Sequence, residues 1–181
     1  INTLVLARAL AAHPAINVQC SAVEGNENYA LRERLMYLGL PAPLFTIDLD
    51  TEMGRRISRH AFQRFFDCLE PAFGLQVTLG QVNTVVVCPA LTSHSELSDE
   101  ALREAGISLT TIRIAVGDED PRSLLAHLMQ AAELALEPEC PGFSRHFGQP
   151  QAIDALYESI YVDVHRRYAA SRPRMQQMLT S

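Results

Sequence analysis

The chain contains no lysine. All 15 of its basic residues are arginine, set against 21 Asp and Glu for a net charge of −6 over 181 residues. A Schiff-base lysine, a P-loop lysine and a lysine general base are therefore excluded from this chain. The acidic balance also argues against a nucleic-acid binder, which needs a basic face to neutralise phosphates. No apolar run approaches the roughly 18 residues of a membrane span, and the longest, Val85 to Leu91, contains Pro89. Cys20, Cys68, Cys88 and Cys140 form neither a CxxC pair nor a Cys/His knuckle. That spacing offers no metal site and is read as four reduced, mostly buried thiols of a cytoplasmic protein. GxGxxG, GxSxG and HExxH are absent too. The chain opens on Ile1 with neither Met nor a cationic leader, as expected of a processed chain or a piece of a longer one.

What is present is a dense, regular alternation of elements. Asn2 is placed to cap a helix that His13-Pro14 ends, because the residue before proline avoids the helical region. A strand is expected at Ile16 to Cys20, and a helix from Glu27 to Tyr37 with Gly39 as its stop. In Leu44 to Asp50, Phe45, Ile47 and Leu49 alternate with Thr46, Asp48 and Asp50, the pattern of a half-buried strand. Thr51 is read as the cap of a helix reaching Leu69, with Phe62, Phe65 and Phe66 inside and Arg55, Arg56, Arg59 and Arg64 on a solvated face. Further strands are predicted at Leu75 to Leu79, Thr84 to Cys88 and Thr110 to Val116, with a short helix from Ser98 to Gly106. Asp118, Asp120 and Pro121 mark the start of a helix that closes a module near Glu137.

Beyond that module, Pro138, Pro141, Gly142, Gly148 and Pro150 predict a linker over 138–150. A helical tail over 151–181 follows. Its stripe of Ile153, Leu156, Tyr157, Ile160, Tyr161, Val164 and Tyr168 either contacts another subunit or folds back on the domain. The fold class is alpha+beta: a mainly antiparallel sheet of four or five strands, helices on one side and a C-terminal helical tail.

The distinctive stretch runs from Thr78 to Asp120. It holds Thr78-Leu79-Gly80-Gln81-Val82-Asn83-Thr84, then Cys88-Pro89-Ala90-Leu91-Thr92-Ser93-His94, Glu104-Ala105-Gly106-Ile107-Ser108 and Ile112-Arg113-Ile114-Ala115-Val116-Gly117-Asp118-Glu119-Asp120. In order and spacing this resembles the C-terminal domain of the fold-type I pyridoxal-phosphate enzymes of cysteine and methionine metabolism. These include cystathionine gamma-synthase, methionine gamma-lyase and the O-acylhomoserine sulfhydrylases. The trace covers about residues 2 to 136. It departs from the family at Pro41-Ala42-Pro43, Gln81, Asn83, Cys88 and Leu91, all on the side that the family turns to the cofactor.

The resemblance implies that Arg113 binds the alpha-carboxylate of an amino-acid substrate beside Thr78 and the backbone of Leu79. A guanidinium mounted on a strand suits that role on physical grounds, through its bidentate fork. The other reading of Arg113 is a sheet-surface arginine paired with a nearby acid. The resemblance further implies pyridoxal phosphate as cofactor, bound by a lysine-bearing large domain that this sequence does not include, so no catalytic, cofactor-binding or metal-ligating residue is assigned here. The function expected is the substrate-binding part of a trans-sulfuration-type enzyme acting on a sulfur amino acid or an activated homoserine. The alternative is a non-catalytic subunit or sensor paired with a lysine-bearing homologue. Either form implies a homo- or hetero-oligomer.

Overall fold

The computed structural model describes the backbone of residues 1–179 and the side chains through Arg172. Its element order is α1 (Asn2–Ala11), β1 (Asn17–Gln19), α2 (Tyr29–Leu35), β2 (Leu44–Asp48), α3 (Arg59–Asp67), β3 (Gly74–Leu75), β4 (Val85–Val87), α4 (Asp99–Glu104), β5 (Ile112–Ala115), α5 (Pro121–Ala135) and α6 (Pro150–Leu179). The strands form one sheet in the order β1-β2-β5-β4-β3. Every pairing is antiparallel except β3 with β4 at the edge. The alternation expected in β2 holds: Phe45 and Ile47 join Ile112, Ile114 and Val86 on the face that meets the helices. Thr46, Arg113 and Val87 lie in register across the opposite face. Among the described residues no helix is long and apolar enough to cross a membrane.

Several local expectations are corrected. The cap of α1 is Ile1, without a side-chain bond. The Asn2 amide instead donates to the carbonyls of Gly117 and Glu119 at 3.1 and 3.0 Å. Thr51 closes a tight turn by accepting from Gly54 N–H, and the cap of α3 falls seven residues later, where the Ser58 hydroxyl accepts from Ala61 N–H at 3.1 Å. The strand predicted over Leu75 to Leu79 stops at Leu75 because the carbonyls of Val77 and Thr78 turn to a guanidinium rather than to a neighbouring strand.

The largest difference concerns 138–150, which is packed rather than a linker. Cys140, Phe143 and Phe147 belong to the core. Two carboxylates tie the segment down. Glu137 accepts from Gly142 N–H, Ser144 N–H and the Ser144 hydroxyl, and Glu139 accepts from the N–H and hydroxyl of Ser58. The proline and glycine signals report a broken backbone correctly but are silent about burial. The tail also folds back. Ile160 and Val164 are buried, and Ile153, Leu156 and Tyr157 pack beside them, so the inner stripe of α6 covers α1 and α5.

His13 fastens this segment to the N-terminal helix. Its ring is buried between Phe143 and Phe147, with centroids 4.4 and 4.8 Å away. Nε2 lies 2.9 Å from the Phe143 carbonyl, and Nδ1 accepts from Ala15 N–H at 3.1 Å. That pair of partners requires the neutral ring protonated on Nε2, since a protonated Nδ1 could not accept. Burial, with the nearby His146 adding to it, lowers the His13 pKa from 6.5 to about 4. The unfolded chain therefore takes up this proton first as pH falls. The contribution of the neutral ring is complete above pH 6.5 and is lost between 6.5 and about 4. The urea midpoint is expected to fall over that window, and His13→Gln to show a shallower fall between pH 7 and about 5. Equal slopes for the two proteins would contradict the buried neutral ring.

Candidate substrate-carboxylate site

The site lies on the sheet face away from the helices. In Ile112-Arg113-Ile114 both isoleucines enter the core, so the alternation of β5 turns Arg113 outward, between Thr46 and Val87 of the neighbouring strands. Over it runs the 76–83 loop. Nη2 of Arg113 donates to the carbonyl of Val77 at 3.0 Å and to that of Thr78 at 3.3 Å. Nε is buried and has no hydrogen-bond partner among the described residues. Nε and Nη2 form one edge of the guanidinium, the edge that grips a carboxylate bidentately. An orphaned buried donor costs about 1–3 kcal/mol, so it marks a place where an acceptor belongs.

The structure thus brings Arg113 and Thr78 together, though through the threonine carbonyl. The Thr78 hydroxyl points back to the Leu79 carbonyl at 3.5 Å. Leu79 makes no hydrogen bond with Arg113, and its side chain is exposed. The other reading of Arg113 is not what the fold presents: among the described residues no acid lies in salt-bridge range of it. Val77, Leu79 and Val82 are 60, 52 and 77% exposed, an apolar rim beside the guanidinium.

What holds the loop in place is a junction that motif reading left without a role. The Glu119 carboxylate accepts from Thr84 N–H at 2.6 Å and from the Thr84 hydroxyl at 2.8 Å. That hydroxyl accepts in turn from Gly117 N–H at 2.9 Å, and Asp118 N–H donates to the Val82 carbonyl at 2.7 Å. A Cβ at Gly117 would stand 2.2 Å from the Val82 carbonyl oxygen, so only glycine permits the approach. Both Thr84 and Glu119 lie inside the motifs, so their position was a signal, but their pairing across 35 residues was not.

Comparison with known proteins identifies the family and the fold. The family model for the Cys/Met metabolism PLP-dependent enzymes matches residues 1–133. Homocysteine synthase of Schizosaccharomyces pombe is 30% identical over 135 residues, covering 74% of this chain and 30% of the relative. L-methionine gamma-lyase of Pseudomonas deceptionensis is 34% identical over 128 residues, covering 70% of this chain and 30% of that enzyme. Among solved structures, a putative O-acetylhomoserine (thiol)-lyase of Campylobacter jejuni, which carries a pyridoxyl-lysine monophosphate, superposes with a TM-score of 0.61 at 29% identity. That superposition covers 73% of this chain and 30% of the other. Cystathionine gamma synthase of Xanthomonas oryzae, solved with cystathionine, gives a TM-score of 0.60 at 27% identity, over 74% of this chain and 33% of that one. The chain belongs to the Cys/Met metabolism family of PLP-dependent enzymes, and it spans about 30% of the length of the curated relatives it matches.

The residues present do not fit the cofactor by themselves. Without lysine there is no side-chain amine to condense with its aldehyde, so no chemical step through it is derived from this chain.

Glu119→Ala strands the N–H and hydroxyl of Thr84 and is expected to cost about 1–3 kcal/mol in urea unfolding. Faster amide exchange at Thr84, Gly117 and Asp118 should accompany it. Unchanged protection at those three amides would show that the loop is held by something else.

Proposed function

We propose that this chain is the part of a trans-sulfuration-type enzyme that binds the alpha-carboxylate of a sulfur amino acid or an activated homoserine, with Arg113 as the anchor. The observation that carries this reading is the buried, unpartnered Nε of Arg113. A carboxylate on the Nε–Nη2 edge satisfies that donor and gives Nη2 a charged acceptor in place of a neutral carbonyl, a stronger arrangement. Thr78 and Leu79 form the rim, where the backbone can approach a ligand beside Gly80, whose φ is +75°. Pyridoxal phosphate, when bound, supplies the electron sink for elimination or replacement at the beta or gamma carbon. It is held by a lysine-bearing segment or subunit outside this sequence, and the exposed Val77, Leu79 and Val82 suit a surface which that segment covers. The four free cysteines are consistent with a reducing, cytoplasmic setting.

The absence of lysine favours one further reading, a non-catalytic subunit or amino-acid sensor that uses the same Arg113 site beside a lysine-bearing homologue. A native assembly in which this chain is paired with a separate lysine-bearing homologue would select this reading.

In the complete enzyme, Arg113→Lys keeps the charge and removes the fork. The expected result is a fall in kcat/KM of roughly 30- to 100-fold, equivalent to about 2–3 kcal/mol, with folding stability nearly unchanged. Unaltered steady-state parameters for Arg113→Ala would remove Arg113 from the site.

A further inference from the structure

Helix α6 lies beyond the family match, which ends at residue 133. Its inner stripe is spent on the domain's own core, as described above. A second stripe on the outer side carries Glu158, Tyr161, Val162, His165, Tyr168 and Arg172, all exposed. Their spacing of three and four residues makes one continuous face of about four turns. Tyr161, Val162 and Tyr168 are 44, 48 and 41% exposed, large apolar surfaces without cover.

Several side chains of this stripe pack on one another. The rings of Tyr161 and His165 stack with centroids 4.0 Å apart, and His165 Nδ1 lies 2.7 Å from the Tyr161 carbonyl. The Arg172 guanidinium sits 5.8 Å from the Tyr168 ring centre. Binding such a surface costs little conformational entropy.

Charge selects the occupant. Along α6 the acids Asp154, Glu158 and Asp163 come first and the bases Arg166, Arg167, Arg172 and Arg174 come last. Asp154 is engaged by Arg122, and Asp163 by Arg167, which also binds Glu33. Glu158 and Arg172 have no salt-bridge partner among the described residues, and they stand equally far on either side of His165. Two copies of the helix laid antiparallel about His165 place Glu158 of each against Arg172 of the other and Val162 against Tyr168. A parallel pair would set Glu158 against Glu158 and Arg172 against Arg172.

We propose that the outer face of α6 is the contact through which a second copy of this chain docks, antiparallel and two-fold, centred on His165. A two-fold arrangement uses one self-complementary patch and closes on itself. A single helix pair lies at the small end of specific interfaces, so the dimer forms in the micromolar range.

Sedimentation velocity of the 181-residue chain from about 1 to 200 µM tests this. The mass is expected to rise from 20.0 kDa towards twice that value. Glu158→Arg and Arg172→Glu singly should each weaken association at least tenfold, and the double variant should restore it, because only an antiparallel pair exchanges the two charges. All of these positions are exposed, so circular dichroism should be the same for every variant. A chain monomeric at the highest concentration would overturn the proposal, as would a dimer indifferent to the single charge reversals. Failure of the double variant to recover would overturn the antiparallel register.

Discussion

The site depends on a single carboxylate reaching across the sheet. Glu119 follows β5 in sequence but binds the first residue ahead of β4, and through Thr84 and Val82 it fixes the end of the loop that lies over Arg113. Two further features make that reach possible. Gly117 has no Cβ to collide with the Val82 carbonyl, and the Asn2 amide satisfies the carbonyls of Gly117 and Glu119 from the far end of the chain. One residue on, the Asp120 carboxylate caps α5 by accepting from Arg122 N–H. A turn of four residues therefore sets the loop, the last strand and the closing helix together. With its polar groups satisfied, it over-determines the position of the guanidinium that it frames.

Polar burial elsewhere follows the same economy, in which a desolvated group is kept only when its partners are complete. Arg32 is 4% exposed, and its guanidinium donates to the carbonyls of Ser21 and Gly39 and to the Glu33 carboxylate. Arg167 of α6 meets the same Glu33 and the Leu38 carbonyl, so α2 and the long helix are joined by shared acceptors. Exposed ion pairs contribute little singly. Here they orient a helix whose attachment comes from Ile160 and Val164, and α6 is an integral part of the domain through that apolar stripe. Against this background the unsatisfied Nε of Arg113 is the exception among the described residues.

Much of the fold was legible where periodicity is physical. The alternation in β2 and the Asp120-Pro121 start of α5 both appear as read, because a half-buried strand and a capped helix leave patterns of two and of three to four residues. The start of α3 was misplaced because Thr51 and Ser58 offer the same cap chemistry, and only Ser58 has Glu139 to support it. Residues 138–150 were misread because breakers describe the backbone, whereas the burial of Phe143 depends on His13, 130 positions away. For the site, the outward face of Arg113 followed from its isoleucine neighbours, and the family motif supplied the role proposed for it. The orphaned Nε and the Glu119–Thr84 bond are tertiary facts with no local trace. In each case the missing information was a partner distant in sequence.

The central claim, that the Arg113 edge awaits a carboxylate, is tested most directly by the 15N–1H resonance of its Nε in the assembled protein as an amino acid is added. A saturable downfield shift of the Arg113 Nε proton with the amino acid, absent with the corresponding amino-acid amide, is the result this structure predicts. An Nε resonance indifferent to both ligands, while binding is observed by calorimetry, would place the carboxylate elsewhere.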